Sequence, residues 1–116
     1  MFDFEKLDLY QHLKRLSVDI LKFLATDKSI DEDQKQQFKD AVLKSLFLLA
    51  ESTAKMKVPK KKDLLVASRS AIFESVAILQ VIDGSCNVPP HTYEDFYDRL
   101  TTSSKMLLAM YRSYDR

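Results

Sequence analysis

Residues 93–114, YEDFYDRLTTSSKMLLAMYRSY, decide the fold class. Their apolar and small side chains recur at alternating spacings of four and three residues, at Tyr93, Tyr97, Leu100, Ser104, Leu107, Tyr111 and Tyr114. This spacing gathers the side chains on one helix face and suits the shallow crossing angles of helix bundles. The stretch therefore predicts an amphipathic helix that packs in a bundle.

The chain before this stretch divides into three further helical segments. Turn-forming residues concentrate in three places, at residues 26–31, 58–62 and 84–90. The first segment carries an apolar stripe at helical spacing, Leu9, Leu13, Leu16, Ile20 and Leu24, and the third carries another, Leu65, Ser68, Ile72, Ser75, Leu79 and Ile82. No segment alternates with period two, as a half-buried strand would. The sequence predicts one all-α domain over residues 1–116, an up-down-up-down antiparallel four-helix bundle.

Local signals predict where these helices begin and end. Ser29 and Glu32 have the spacing of a capping box that opens the second helix. Gly84 stands where a glycine would end the third helix. Pro89 and Pro90 precede the fourth helix, whose first position tolerates proline because its N–H needs no partner.

Composition limits the classes of function. The 116 residues are 46% hydrophobic and 30% charged, which is typical of one globular domain. Eighteen basic residues stand against 17 acidic ones, so net charge gives no argument for nucleic-acid binding. We find no signal-peptide pattern, and the longest uninterrupted apolar run, 46–50, is far below the ~20 residues that span a bilayer. We expect a cytoplasmic protein without a membrane partner.

The residues that carry catalysis do not form a recognisable constellation. A single glycine excludes a glycine-rich phosphate loop, and a single cysteine, Cys86, excludes an internal disulfide or a cysteine-based zinc cage. Neither His12 nor His91 has the spacing of a metal ligand pair. We therefore expect no enzyme activity, no metal site and no cofactor.

One cluster of charge is the candidate nucleic-acid site. This lysine cluster comprises Lys55, Lys57, Lys60, Lys61 and Lys62 around the turn between the second and third segments, and Arg69 follows two turns later. Such residues neutralise phosphates and make binding sensitive to salt. The alternative is a solvated turn that complements the end of a helix dipole.

Two further sets of residues are candidates for a subunit interface. Leu43, Phe47 and Ala50 form a second apolar stripe on the second helix, which either lies at the centre of the bundle or buries that stripe against another subunit. Tyr97 and Tyr111 belong to the aromatic stripe of the fourth helix. Tyrosines at helical spacing are typical of a core or a subunit interface, and ligand stacking is the alternative.

Short motifs resemble a known family. Residues 4–11, FEKLDLYQ, are similar to the opening of the four-helix-bundle proteins encoded in intervening sequences of bacterial 23S rRNA genes. Residues 49–52, LAES, resemble the family's signature near the end of its second helix. Residues 67–71, ASRSA, resemble its small-residue segment in the third helix, with Ser52 and Arg69 standing where the family has glycine.

This resemblance implies a compact bundle that assembles into a ring-like homopentamer. It also implies kinship with the accessory variability determinant of diversity-generating retroelements, a basic pentamer that binds nucleic acid and a reverse transcriptase. Two hypotheses follow. The chain is a non-enzymatic homo-oligomer that binds structured RNA through the lysine cluster, or it is a protein-interaction scaffold, for example a reverse-transcriptase accessory subunit, with no direct contact to nucleic acid.

Overall fold

Four long helices build the molecule. The computed structural model describes residues 1–115, in which a short 3₁₀ helix (Asp3–Lys6) precedes α1 (Asp8–Thr26), α2 (Glu32–Ala54), α3 (Val58–Ser85) and α4 (Pro90–Ser113). No strand occurs within this range. The all-helical class and the number of long helices predicted from the sequence are confirmed. The connections lie at residues 27–31, 55–57 and 86–89, so the second precedes the predicted range 58–62. Residues 58–62 instead begin α3, because a proline is tolerated in the first turn of a helix.

The start of α2 differs from the prediction. Asp31 is the N-cap, and its side chain accepts a hydrogen bond from the backbone N–H of Gln34 at 3.2 Å. The hydroxyl of Ser29 instead donates to Asp27 at 2.6 Å. The predicted capping box of Ser29 and Glu32 is therefore wrong, because a second capping residue lies directly before the helix.

The end of α3 also differs, whereas the start of α4 agrees. The α3 helix continues through Gly84 to Ser85, and no residue in the described range has positive φ. Gly84 therefore does not end the helix in a left-handed conformation. Pro90 is the first residue of α4 and Pro89 is its N-cap, as predicted.

The core lies on one face of each helix. The predicted stripes of α1 and α3 are buried throughout. In α4 the buried residues are Phe96, Leu100, Ser103 and Leu107. Tyr97 is exposed. Phe96 and Ser103 are buried in place of the predicted Tyr97 and Ser104, so at these two positions the buried residue is the one before the predicted residue. Phe96 takes the inner place because its ring packs edge-on against Phe23 of α1, with 5.6 Å between centroids.

Each helix packs against its neighbours along the chain. The α2 and α3 helices share the most extensive contact, α3 also packs against α4, and α1 packs against both α2 and α4. The 3₁₀ helix lies against α1 and α2. This arrangement leaves α3 between α2 and α4, with its remaining side toward solvent.

Candidate interaction surfaces

The lysine cluster spans a connection and the first turn of a helix. Lys55 and Lys57 lie in the connection 55–57, whereas Lys60, Lys61 and Lys62 belong to the first residues of α3. The N-terminal end of a helix carries the positive end of its dipole, so cations there are unfavourable. Contacts of the individual side chains explain how these lysines are accommodated.

Two lysines of the cluster have partners at the C-terminal end of α2. Lys61 Nζ lies 3.4 Å from the carbonyl oxygen of Ser52 and 3.5 Å from that of Thr53, and so donates to the C-terminal end of α2. Lys55 Nζ forms an ion pair with Glu51 at 3.7 Å. These contacts place cations beside the negative end of the α2 dipole, where they are favourable.

Lys62 is held at the α3–α4 seam. Its ammonium group forms an ion pair with Asp115 and lies 4.5 Å from the centroid of the Tyr111 ring. The hydrogen bond to Asp115 raises the pKa of Lys62 above its usual value. Lys57 and Lys60 are exposed and have no ion-pair partner among residues 1–115. They are the part of the cluster that faces solvent.

Arg69 stands apart from the lysine cluster. Its Nε donates to the carbonyl oxygen of Ser104 at 3.2 Å, and its guanidinium lies 4.8 Å from the centroid of the Phe73 ring. Seven residues separate Arg69 from Lys62, a rise of about 10 Å along α3. Arg69 lines a groove of about 280 Å³ between α3 and α4 together with Phe73 and Tyr111, and Lys62 lies over the Tyr111 ring.

The five residues predicted for an oligomer interface lie in two places, three on α2 and two on α4, and Leu43 and Phe47 line one shallow groove. Phe47 is 61% exposed and lies among the charged side chains of Asp40, Lys44 and Glu51 on α2. Leu43 is half-buried against the core, and Ala50 lies beside Phe2 and Phe4 of the N-terminal segment.

The two tyrosines of that set lie on α4. Tyr97 is exposed and stacks on Tyr93, with 6.0 Å between ring centroids. Tyr111 is half-buried against the core in the α3–α4 groove.

A further apolar surface lies on α3 and was not predicted. We call it the α3 outer face; it comprises the exposed residues Val66, Ser70, Phe73, Ala77 and Val81. Val66 is 52% exposed, Phe73 57% and Val81 60%. The signal in the sequence was a second apolar stripe opposite the buried one, so that α3 is apolar nearly all round. Such a helix is ordinarily buried on all sides.

The same composition has a further consequence. By length and composition alone, α3 is the one helix within residues 1–115 that is long and apolar enough to cross a membrane, and core helices of soluble proteins meet the same criterion. Its apolar residues divide between the core and the α3 outer face.

The histidines and the cysteine occupy separate places. His12 Nε2 lies 3.2 Å from the carbonyl oxygen of Arg99, and His91 is exposed in the first turn of α4. Cys86 is a half-buried free thiol whose Sγ lies 3.3 Å from the carbonyl oxygen of Ile82. Among the described residues, no three His, Cys, Asp or Glu side chains are grouped so that they would hold a metal ion.

Comparison with family models, with curated proteins and with solved structures gives no match to this chain.

Proposed function

We propose that the chain is a single up-down-up-down antiparallel four-helix bundle of the kind encoded in 23S rRNA intervening sequences. The order of the side-chain contacts between consecutive helices supports antiparallel packing, since residues early in one helix meet residues late in the next. The contacts between α2 and α3 join Gln34 to Ser85, Ser45 to Ser68 and Ser52 to Lys61; those between α3 and α4 join Lys62 to Asp115 and Arg69 to Ser104.

We further propose that this bundle is a non-enzymatic protein-interaction module that acts as a homo-oligomer, a homopentamer as the family resemblance implies. One observation carries the proposal: the α3 outer face exposes Val66, Phe73 and Val81 along one helix. Exposed apolar patches of this kind mark protein interaction sites. Burying the face removes apolar side chains from water, which is the main favourable term in most protein association.

The interaction is tested by light scattering coupled to size-exclusion chromatography. We expect the protein to elute as an oligomer at 0.15 M and at 1 M salt, because apolar burial does not depend on ion pairs that salt screens. Phe73→Ser should weaken the association, and its exposed side chain makes a folding defect small.

The matched control is Phe47→Ser, which removes a phenylalanine of similar exposure from α2. We expect it to retain the oligomer. Loss of the oligomer in F47S but not in F73S would place the interface on α2, as Leu43, Phe47 and Ala50 predict, and would contradict the α3 assignment.

A second candidate function is binding of structured RNA. It is favoured by Lys57 and Lys60, which face solvent next to the start of α3, and by the repetition of this charge in an oligomer, which raises avidity. Fluorescence anisotropy with labelled structured RNA and an equal-length DNA, at 50 and 200 mM salt, measures it. The K57E/K60E variant should bind more weakly and with a smaller salt slope; equal binding by the variant would remove these lysines from the site.

The proposed location is the cytoplasm, and no cofactor, metal or membrane is part of the proposed function. Buried Ser68 and Ser75 on α3 and the packing of α3 against both α2 and α4 support a bundle helix over a membrane span. A reverse transcriptase is a partner suggested by the family resemblance. No catalytic role is proposed for Cys86, His12 or His91.

A further inference from the structure

The α3 outer face carries its charges only at its two edges. The exposed line Val66, Ser70, Phe73, Ala77 contains no charged side chain. It follows the alternating four- and three-residue spacing of a helix–helix seam. From Val66 to Ala77 it extends over about 16 Å of helix, and the exposed Val81 lies one turn further on.

Arg69 and Glu74 border this line on opposite edges. Arg69 lies on the side of α4, where it contacts Ser104 and Phe73. Glu74 is exposed on the side of α2, near Gln37 and Ile78. Within residues 1–115, neither side chain has an ion-pair partner. The face thus offers one unpaired cation and one unpaired anion, which together make it complementary to itself.

The five-residue separation of these charges fixes the direction of a partner helix. In a parallel pair of helices related by a twofold or a ring axis, a residue on one edge of the seam faces the residue five positions later on the neighbouring helix. This is the relation between the g and e positions of a coiled coil, and residues 69 and 74 have it. In an antiparallel pair, each edge would face its own copy, which brings Arg69 near Arg69 and Glu74 near Glu74.

Small residues allow such a seam to be close. Ser70, Ala77 and Gly84 recur every seven residues on the exposed side of α3. A Cβ added at Gly84 would meet nothing within 4 Å, and its φ is not positive, so packing within one subunit gives no reason for glycine. Small side chains at a seam permit short distances between helix axes.

We infer that the α3 outer face binds a second copy of this chain, with the two α3 helices parallel and with Arg69 of one copy paired to Glu74 of the other. The inference rests on the proposed function and specifies its partner and register. The charges indicate a second copy as the partner, because each subunit presents both an arginine and a glutamate and can pair them with the glutamate and arginine of another copy.

Charge reversal tests this register. Sedimentation velocity over a range of concentrations measures association of the wild-type chain, of R69E, of E74R and of the double variant R69E/E74R. Each single reversal places like charges together, and we expect the dissociation constant to rise about tenfold or more. The double variant restores an opposite pair at each contact and should associate nearly as well as the wild type.

Two exposed charges on α4 provide matched controls. Lys105→Glu and Asp98→Arg make the same changes of charge away from the α3 outer face, and we expect association like that of the wild type. Because R69E also removes the contacts to Ser104 and Phe73, the E74R variant, whose side chain has no such contact, carries the result if R69E fails to fold.

The possible outcomes separate this inference from the proposed function. A wild-type oligomer that is insensitive to R69E, E74R and the double variant but weakened by F73S overturns the parallel register and leaves the interaction module standing. A wild-type chain that is monomeric at every concentration overturns both. Weakening by each single variant with recovery in the double variant supports the inference.

Discussion

At the scale of single residues, hydrogen bonds allow serine side chains to be buried between the helices. Six serines are buried, Ser17, Ser45, Ser52, Ser68, Ser75 and Ser103. Each hydroxyl has a hydrogen-bond partner, in most cases a carbonyl one turn earlier in its own helix. No buried side-chain nitrogen or oxygen within the described range lacks a partner. Because an unpaired buried hydroxyl is costly, this complete pairing is what makes small polar residues acceptable between helices.

The pair Ser45 and Ser68 supplies the first prediction. Ser68 Oγ donates to the backbone carbonyl of Ser45 at 2.7 Å, and the two hydroxyls are 3.0 Å apart. Ser68→Ala leaves the Ser45 hydroxyl without its partner, and we expect the free energy of unfolding to fall by about 1–2 kcal/mol.

Urea denaturation of S45A, S68A and the S45A/S68A double variant checks this. Removing both hydroxyls leaves no unpaired group, so the double variant should lose less stability than the sum of the single losses. Strict additivity would show that the two hydroxyls do not depend on each other.

Asp27 and Ser29 supply a pH-dependent prediction. The hydroxyl of Ser29, and then its backbone N–H at 2.8 Å, donate to the Asp27 carboxylate and lower the pKa of that carboxyl below its usual value. A depressed pKa in the folded state stabilises the fold at pH values above the unfolded pKa, and this contribution is lost as the pH falls through the folded value.

Ser29→Ala should therefore raise the pKa of Asp27 and reduce stability at pH 7, with the difference from the wild type vanishing at low pH where Asp27 is protonated in both states. NMR titration of the Asp27 carboxyl measures the pKa, and thermal unfolding at pH 7 and pH 2.5 measures stability. An unchanged titration in S29A would show that this hydrogen bond does not set the pKa.

At the scale of helices, the side chain of Lys61 lies between the C-terminal end of α2 and the N-terminal end of α3. Lys61 belongs to the first residues of α3, where a cation is unfavourable, yet its ammonium reaches the last carbonyls of α2, where a cation is favourable. Lys60 is its neighbour and is exposed. The two lysines thus occupy the same helix end with opposite electrostatic consequences.

Neutralising these lysines should have opposite effects on stability. We expect Lys61→Met to reduce the free energy of unfolding by about 0.5–1 kcal/mol, because the α2 carbonyls lose their donor. Lys60→Met should leave stability unchanged or raise it by about 0.3 kcal/mol, because it removes a cation from the start of α3. Thermal unfolding of both variants at low salt measures the difference; equal shifts of the same sign would contradict the capping role of Lys61.

Helix existence could be predicted from the sequence more securely than helix faces. The first connection contains aspartate and serine and the third ends in proline, and this local chemistry marks them without knowledge of the fold. The second, residues 55–57, has no such residue, and Pro59 lies inside α3. The inner face of α4 depends instead on what it meets: Phe96 lies inward because Phe23 of α1 packs against it. Tyr97, which the heptad pattern places on the packed face of the helix, is consequently exposed.

The candidate surfaces were predictable to a similar, partial extent. The lysine cluster is visible as a run of charge, but the contacts of Lys61 with α2 and of Lys62 with Asp115 depend on the packing of helices. The α3 outer face was not predicted because α3 carries two apolar stripes. The sequence cannot tell which of two such stripes is buried until the positions of α2 and α4 are known.

At the scale of the whole molecule, α3 has apolar side chains on both sides but neighbours on only one. The core side contacts α2 and α4, and the α3 outer face is exposed between the groove that α3 shares with α4 and the groove that it shares with α2. A small bundle with Val66, Phe73 and Val81 in water leaves apolar burial incomplete in a single subunit. The proposed association through α3 would complete it.

The most direct test of this account is the mass of the wild-type chain in solution. Multi-angle light scattering at micromolar concentrations, in 0.15 M and 1 M salt, should give a multiple of the 13.4 kDa subunit under both conditions. The same measurement on F73S should give a lower average mass than the wild type and F47S. A mass of one subunit for the wild-type chain at all concentrations would contradict the assignment of the α3 outer face as an interaction surface.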